Sequence, residues 1–198
     1  MSGVVMVDSG GANIASVRFA LERLGIASEL TFDPDKIARA DKVILPGVGT
    51  AREAMRKLEG YGLVQCLKEL SAPVLGICLG MQLLFNNSEE GGGELLGMLP
   101  DDVHKFTPET GKTIPHMGWN TVEKTKESAL LKDIPDQAYF YFVHSYYAPV
   151  GDWTSGKTTY FSENITATLE HDNFFGCQFH PERSGTAGAQ IFKNFMRL

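Results

Sequence analysis

Of the three cysteines in the sequence, Cys78 is the one placed for chemistry, because it stands between two glycines where a short apolar run ends. The stretch GICLG at residues 76–80 has the spacing of a nucleophile elbow, a sharp turn from a strand into a helix. Such a turn presents the side chain at the top of a sheet and at the start of a helix, where a thiolate is favoured over a thiol. The alternative is a buried cysteine that packs as a small hydrophobe in a glycine-rich turn.

A cysteine nucleophile needs a base, and His180 is the best candidate among the five histidines. It ends the apolar run at residues 174–179 and is followed by Pro181 and Glu182. Because proline ends strand pairing and fixes φ, the Glu182 carboxylate can turn back towards the ring and stabilise an imidazolium. A capping or turn role is the alternative for this His-Pro-Glu sequence. The other histidines lie mid-strand, in a turn or in aromatic-rich stretches: His104, His171, His116 and His144.

An oxyanion hole beside the cysteine needs two preorganised donors. The elbow supplies one of them, the backbone N–H of Leu79. The stretch PGVG at residues 46–49 offers the second, because glycines on both sides let the peptide unit of Val48 turn inward or outward at little cost. A tight strand-to-helix turn is an equally good interpretation of this loop.

The first half of the chain alternates apolar strand patterns with helical ones. Strands are predicted at residues 3–7, 28–32, 42–45 and 73–77, and helices at 14–24, 34–40, 50–59 and 63–70, with Asn13 as an N-cap and a helical pattern continuing after Cys78 to residue 85. This alternation predicts βαβ units and a doubly wound parallel sheet. Sites in such sheets lie beyond the carboxyl ends of the strands, so the loops after residues 7, 45 and 77 should share one rim.

The second half has a different pattern, with strand-like pieces separated by turn signals. They fall at residues 103–106, 119–123, 138–143, 158–161, 166–170 and 174–179, and a last helix begins near residue 186. We therefore predict an α/β fold: a doubly wound, mostly parallel sheet flanked by helices, with an antiparallel or mixed extension. A single domain over residues 1–198 is expected, since nothing in the pattern marks a linker.

Composition excludes several classes of protein. The net charge is −6 and the 18 basic residues are scattered, so a basic nucleic-acid-binding stripe is excluded. No apolar run approaches the roughly 18 residues of a membrane span, and the start has no basic region typical of a signal peptide. The odd number of cysteines, at unrelated spacings, predicts neither a disulfide framework nor a metal site and favours a reducing cytoplasm.

Three stretches taken together resemble the class I, or triad, glutamine amidotransferases: PGVG at 46–49, GICLGMQ at 76–82 and HPE at 180–182. Their order and spacing match across the whole chain. Two more stretches, PHMGWN at 115–120 and YFVHSY at 141–146, are similar to the glutaminase subunits of imidazole glycerol phosphate synthase within that family, and QFHPERSG at 178–185 fits the same group. The resemblance implies a flavodoxin-like sheet and no cofactor.

The resemblance also implies a mechanism of glutamine hydrolysis. Cys78 would attack the side-chain amide, while the N–H groups of Leu79 and Val48 hold the oxyanion. His180, oriented by Glu182, would protonate the departing ammonia and then activate water to release glutamate from a thioester. The residues implied to hold glutamine's ammonium and carboxylate are Gly49, Gln82, Glu90, Ser145 and Tyr146. A carboxylate such as Glu90 suits an ammonium group; without the resemblance, a solvated loop charge is its ordinary interpretation.

A partner follows from the same resemblance: a (β/α)₈-barrel cyclase subunit, forming a heterodimer. It would combine the ammonia with a phosphoribulosyl-formimino ribonucleotide, giving imidazole glycerol phosphate and an aminoimidazole carboxamide ribonucleotide in histidine biosynthesis. Trp119 is a candidate interface anchor, with a core tryptophan as the alternative. Other positions that match partner-facing ones are Asn13, Arg18, Tyr141 and Arg183. Ala12 departs from the family pattern, since many members have a second glycine before the asparagine.

Two rival functions are compatible with parts of this pattern. One is an amidotransferase subunit of anthranilate or aminodeoxychorismate synthesis, against which the stretches at 118–120 and 141–146 speak. The other is a catalytically silent assembly subunit, which the retention of cysteine, histidine and glutamate disfavours. The glycines around Val48 further predict low glutaminase activity until the partner binds its nucleotide and the 47–48 peptide rotates.

Overall fold

The structure of the protein, a computed structural model, describes residues 3–8, 13–47, 49–91, 93–108 and 113–198. Its first half contains the strands β1 (Val4–Val7), β2 (Ser28–Thr31), β3 (Lys42–Gly47) and β4 (Val74–Cys78). The helices between them are α1 (Ile14–Arg23), α2 (Pro34–Ala38), α3 (Ala51–Gly60) and α4 (Leu63–Lys68). The pairs β1–β2, β1–β3 and β3–β4 are all parallel, which confirms the predicted βαβ organisation.

Local sequence signals fix several helix boundaries. The Asp33 side chain accepts a hydrogen bond from the Asp35 N–H at the start of α2, and the Thr50 side chain does the same for the Glu53 N–H in α3. Asn13 is different: it precedes α1, but its side chain makes no capping hydrogen bond there. Its amide instead donates to Glu182, in the turn that follows the last strand along the chain.

The second half adds short helices and the remaining strands. These are α5 (Leu79–Gln82), β5 (Asn87–Ser88), β6 (Asp102–Lys105), β7 (His116–Lys124), β8 (Ala138–His144), β9 (Tyr146–Tyr147), β10 (Thr154–Tyr160), β11 (Glu163–His171), β12 (Phe174–Cys177) and α6 (Gly185–Met196). The main sheet has the order β2-β1-β3-β4-β12-β11-β10-β7-β8. Strand β12 is parallel to β4 and antiparallel to β11, and from β11 outward every pairing is antiparallel. The predicted antiparallel extension is therefore confirmed.

Apolar side chains cover both faces of the parallel strands. Val43 and Leu45 of β3 pack into a cluster with Leu58 of α3, whereas Ile44 between them packs into a second cluster with Phe192 of α6. Since successive strand residues point to opposite faces, a strand with helices on both sides must be continuously apolar. This explains the uninterrupted apolar runs in the sequence, which confine polar side chains to the rim.

Helix α5 is shorter than the helical pattern predicted through residue 85. After Gln82 the chain continues in turns, because the backbone N–H groups of residues 96–98 bond to the carbonyls of Leu83, Phe85 and Leu84, respectively. These carbonyls are therefore unavailable for a continuing helix. The side chains of residues 83–85 are fully buried. Their apolar run is therefore compatible with a helix and with a buried turn equally well. Within the ranges given above, no helix is long and apolar enough to cross a membrane.

Candidate active site

Cys78 ends β4, a central strand, and begins the turn into α5. Its backbone has φ 54° and ψ −111°, a conformation that costs a non-glycine residue of order 1–3 kcal/mol. The turn is held by close backbone contacts: a Cβ on Gly80 would lie 1.8 Å from the Leu45 carbonyl oxygen, and one on Gly76 would lie 2.6 Å from the Gly80 oxygen. Both glycines of the elbow are therefore sterically required, and the strained cysteine is locked between β3 and α5.

The Cys78 sulfur lies among hydrogen-bonding groups. Gln178 donates through Nε2 to Sγ at 3.6 Å, and Sγ lies 3.9 Å from the Val143 carbonyl oxygen. Burial raises the pKa of the other two thiols, that of Cys66 above its ordinary value and that of Cys177 well above it. Since a thiolate is the reactive form, Cys78 has the environment of a nucleophile.

The imidazole of His180 lies between Cys78 and Glu182. Its Nδ1 is 2.7 Å from Glu182 Oε1, and the two side chains are 5% and 0% exposed. Burial lowers the pKa of His180, but hydrogen bonds to Cys78 and Glu182, together with their negative charges, outweigh burial and raise the pKa to about 10. At neutral pH the His180 ring is therefore an imidazolium, with Nδ1 bonded to Glu182.

Local structure explains how Glu182 reaches that ring. His180 follows β12, and its backbone N–H donates to the Tyr141 carbonyl at 2.8 Å. A 3₁₀ turn over Pro181–Arg183 then folds the chain back. Strand β12 has already ended at Cys177, so Pro181 begins the 3₁₀ turn rather than ending the strand as predicted. The carboxylate two residues after the histidine then returns to Nδ1.

Asn13 contacts the same carboxylate from α1. Its Nδ2 donates to Glu182 Oε1 at 2.7 Å and lies 3.1 Å from His180 Nδ1. Sequence analysis predicted a helix cap and a partner-facing position; the structure shows no side-chain cap and an amide directed at the His180–Glu182 pair. The contact spans more than 160 residues of sequence, so only the packing of α1 beside the turn after β12 reveals it.

The residues implied to bind glutamine lie in two places. Gln82 donates both hydrogens of Nε2, one to the Tyr146 carbonyl and one to Gln178 Oε1, each at 2.8 Å, which leaves its own oxygen to accept from a ligand. Ser145 directly precedes Tyr146 at the β8–β9 junction.

Glu90 defines the second place. Its carboxylate accepts a hydrogen bond at 2.8 Å from the Ala51 N–H at the start of α3, two residues beyond Gly49, and burial raises its pKa. A groove of about 470 Å³ borders Glu90 and Ser88. The helix start and the carboxylate are therefore joined at the rim that follows β3.

The predicted oxyanion-hole residues have different outcomes. Val48 lies outside the described residues, as does the 9–12 loop with Ala12, so those hypotheses stay predictions. Leu79 is described: it is the buried first residue of α5, directly after the cysteine. The first N–H groups of a helix have no intrahelical acceptor, which suits Leu79 for the predicted donor role.

An exposed aromatic face adjoins the His180 turn. Trp119 of β7 is 57% exposed, which rules out the core alternative, and it pairs across the strands with Tyr141 of β8. The Arg183 guanidinium lies 5.7 Å from the centre of the Tyr141 ring. Arg18, on α1, is ion-paired with Glu22 at 3.5 Å on an exposed surface.

Gln178 is a site residue that sequence reasoning missed. It is fully buried, and its amide joins Gln82 to the Cys78 sulfur. The available signal was a polar residue inside the otherwise apolar run at 174–179, which a buried hydrogen-bonding role explains. In the part of the chain that the structure describes, no group of three or more histidine, cysteine, aspartate or glutamate side chains could hold a metal ion.

The sequence of this chain is similar to a known family and to named proteins within it. The model of the family described as "Glutamine amidotransferase class-I" matches residues 5–198. Proteins named "Imidazole glycerol phosphate synthase subunit HisH" are 50% identical over 196 residues in Escherichia coli K12, covering 98% of this chain and 99% of that protein, and 50% identical over 198 residues in Xanthomonas axonopodis pv. citri, covering 100% and 98%.

Solved structures agree in fold. A chain of the PurLQS structure from Thermotoga maritima has a TM-score of 0.73 at 18% identity, covering 100% of this chain and 99% of that chain. The glutaminase domain of Trypanosoma brucei CTPS with bound acivicin has a TM-score of 0.71 at 16% identity, covering 100% and 94%. The predicted fold class is confirmed.

Proposed function

The chain belongs to the class-I glutamine amidotransferase family, and from this premise we propose that it is the glutamine-hydrolysing subunit of an imidazole glycerol phosphate synthase. The predicted family is confirmed, and full-length relatives at 50% identity carry the name of that subunit. One observation carries the assignment: a strained cysteine whose neighbouring imidazolium is hydrogen-bonded at 2.7 Å to a buried glutamate.

In the proposed first step, the Cys78 thiolate attacks the side-chain amide carbon of glutamine. The Leu79 N–H, with the proposed Val48 N–H, stabilises the oxyanion of the tetrahedral intermediate. His180 then donates its proton to the amide nitrogen, so that ammonia leaves and a glutamyl thioester forms. The pKa of His180, raised to about 10 by its anionic neighbours, keeps this proton available at neutral pH.

In the second step, the neutral His180 removes a proton from water, which attacks the thioester and releases glutamate. Glu182 holds Nδ1 throughout, which keeps the other ring nitrogen directed at the reaction and stabilises the imidazolium whenever it forms. Substrate binding is proposed to use the Gln82 oxygen and the Glu90 carboxylate with Gly49, Ser145 and Tyr146. Glu90 provides the negative charge that glutamine's ammonium requires.

The ammonia has to reach a second reaction, so the proposal includes a partner. We assign this role to a (β/α)₈-barrel cyclase that forms a heterodimer with the chain in the cytoplasm. The exposed face with Trp119 and Tyr141 supports this, because aromatic anchors dominate interface energetics and this face adjoins the His180 turn. The free thiols Cys66, Cys78 and Cys177 fit a reducing compartment.

A labelling experiment tests the proposed nucleophile. The chain, assembled with a cyclase and its nucleotide, is treated with acivicin, and the adduct is mapped by mass spectrometry. We expect modification at Cys78, protection by glutamine, and loss of glutamate release in step with labelling. A complex that shows no adduct at Cys78 would instead support the silent assembly role.

Co-purification tests the choice of pathway. The chain is expressed together with the genes that neighbour its own, and the proteins that purify with it are identified. We expect a barrel cyclase to co-purify, and glutamate release to rise when the nucleotide substrate of the cyclase is added. Retention of a chorismate-using partner would overturn the assignment while leaving the amidotransferase family unaffected.

A further inference from the structure

Two buried histidines outside the triad form a hydrogen-bonded pair. His116 of β7 and His144 of β8 are directly opposite each other in the strand register, and they are 3% and 6% exposed. His116 Nδ1 lies 2.9 Å from His144 Nε2. Stacked rings enclose the pair, with Phe142 at 4.8 Å and Tyr160 at 3.9 Å from the His116 ring centre.

The partners of the pair fix the direction of every hydrogen bond in it. His144 Nδ1 lies 2.7 Å from the Tyr146 carbonyl, which can only accept, so Nδ1 carries the proton. The bare Nε2 of His144 must then accept from His116 Nδ1–H. His116 Nε2 is left as an acceptor, and it lies 3.4 Å from the amide nitrogen of Asn120, which can only donate.

Both rings are neutral in this arrangement, as the chain of bonds requires. Burial lowers the pKa of His116 to about 4. Burial first, and then the neighbouring His116, lower the pKa of His144 to about 3. A neutral imidazole has one donor and one acceptor. The hydrogen bonds through the two rings therefore all point the same way, from Asn120 to the Tyr146 carbonyl.

From the Tyr146 carbonyl the hydrogen bonds continue to the nucleophile. That carbonyl also accepts from Gln82 Nε2 at 2.8 Å, whose second hydrogen bonds to Gln178 Oε1 at 2.8 Å. Gln178 in turn donates to Cys78 Sγ at 3.6 Å. An unbroken series of hydrogen bonds therefore joins Asn120, next to the exposed Trp119, to the Cys78 sulfur.

We propose that His116 and His144 are positioning residues for glutamine hydrolysis, which hold the Tyr146 carbonyl so that the amides of Gln82 and Gln178 are fixed beside Cys78. The inference rests on the proposed function. The His144 bond anchors the carbonyl from one side and the Gln82 amide binds it from the other. Loss of that anchor frees Gln82 to rotate, which displaces both its oxygen and the amide that Gln178 directs at the sulfur.

The central test is His144→Phe in the assembled complex. Phenylalanine keeps the aromatic ring but removes both nitrogens. We expect kcat/KM for glutamine to fall by about two- to tenfold, mainly through a higher KM, since one neutral hydrogen bond is lost. We also expect the pH midpoint of Cys78 alkylation by iodoacetamide to move upward. His144→Asn, whose amide can again donate to the Tyr146 carbonyl, should recover part of the loss.

Two further variants separate positioning from packing. Phe106→Leu disturbs the same cluster, since its ring centre is 5.4 Å from that of His144, but it removes no hydrogen bond. It should lower the melting temperature while leaving KM and the alkylation midpoint unchanged. The double variant His116→Phe/His144→Phe should be no less active than His144→Phe alone, because both changes interrupt one series.

Two results would overturn the inference. One is a kcat/KM and alkylation midpoint for His144→Phe that equal those of Phe106→Leu; the other is activity losses for His116→Phe and His144→Phe that add in the double variant. Failure of the proposed function would be seen separately, as a wild-type complex that releases no glutamate. The alkylation midpoint would still report on the hydrogen bonds to Cys78 in that case.

Discussion

The His180 imidazole depends on a carboxylate that is itself held in place. The Glu182 side chain is completely buried, and its Oε1 accepts from both His180 and Asn13 at 2.7 Å. A carboxylate that is free to rotate would lose the geometry that stabilises the imidazolium. We therefore expect Asn13 to act on the reaction through Glu182, as a positioning residue.

Asn13→Ala tests that role. Since a hydrogen bond to a charged group contributes about 1.5–3 kcal/mol, we expect kcat for glutamine to fall by about tenfold or more. The melting temperature should also fall, because the lost hydrogen bond leaves the buried Glu182 carboxylate with one partner fewer, although no capping bond on α1 is lost. Steady-state glutaminase kinetics and thermal unfolding measure both quantities.

Arg18→Ala, on the same helix, is the matched control. Its side chain is exposed and ion-paired with Glu22, so the variant should keep a normal kcat. If Asn13→Ala kept its kcat and lost only affinity for the cyclase, the partner-facing interpretation alone would be right.

Sequence reasoning at this scale identified residue types but not long-range contacts. The elbow around Cys78 and the proline between His180 and Glu182 are local patterns, and local patterns can be interpreted without coordinates. The contacts of Asn13 with Glu182 and of His116 with His144 depend on helix packing and strand register. Neither is encoded in spacing along the chain.

At the scale of elements, the elbow works because three backbones meet with no side chain between them. A Cβ on Gly80 would lie 1.8 Å from the Leu45 oxygen of β3, which forces either β3 or α5 to move. That movement would displace Cys78 and the Leu79 N–H together. Gly76 and Gly80 therefore shape the elbow through the close backbone packing that they allow.

Gly80→Ala should destabilise the protein strongly. Overpacking costs about 1–3 kcal/mol and occasionally more, and here the clash is with rigid backbone, so we expect a loss of at least about 3 kcal/mol in the free energy of unfolding. Gly60→Ala is the control, since a Cβ at the last residue of α3 would meet nothing within 4 Å. That variant should be as stable as wild type or slightly more so. Urea unfolding gives both values; equal stability of the two variants would contradict the packing account.

The prediction of strands and helices was right where the hydrophobic periodicity and the turn-forming residues agree. All six strands predicted in the second half exist, whereas the helix cap predicted at Asn13 makes no side-chain capping bond. It was wrong after Cys78, where residues 83–85 are buried on every side and so carry no period. The two-residue strands β5 and β9 were missed because such short pairings leave no pattern.

For the whole molecule, the order of the sheet places the proposed nucleophile and the proposed partner surface on different strands. The cysteine is on the central β4, whereas the exposed face with Trp119 and Tyr141 is on the β7–β8 edge. The two are joined where the His180 N–H bonds to the Tyr141 carbonyl at 2.8 Å. A partner bound to this edge would therefore be one backbone contact from His180, the proposed catalytic base.

Trp119→Ala tests this surface as the cyclase interface. Removing an aromatic anchor typically costs about 2 kcal/mol or more, so we expect the Kd for the cyclase to rise roughly 30-fold. Phe32→Ala is the matched control, because Phe32 is 53% exposed next to β2, at the opposite end of the sheet order. It should leave the Kd unchanged in a calorimetric titration. The assignment of the surface fails if the two variants bind equally well.

The most direct measurement is glutamate release by the assembled complex carrying Cys78→Ala. The account predicts a folded, cyclase-binding protein with no glutaminase activity, because the thioester cannot form without the thiolate. Cys66→Ala should retain wild-type activity, since that thiol lies outside the site and donates to the Pro34 carbonyl at 3.5 Å. Full glutamate release by Cys78→Ala would contradict the account.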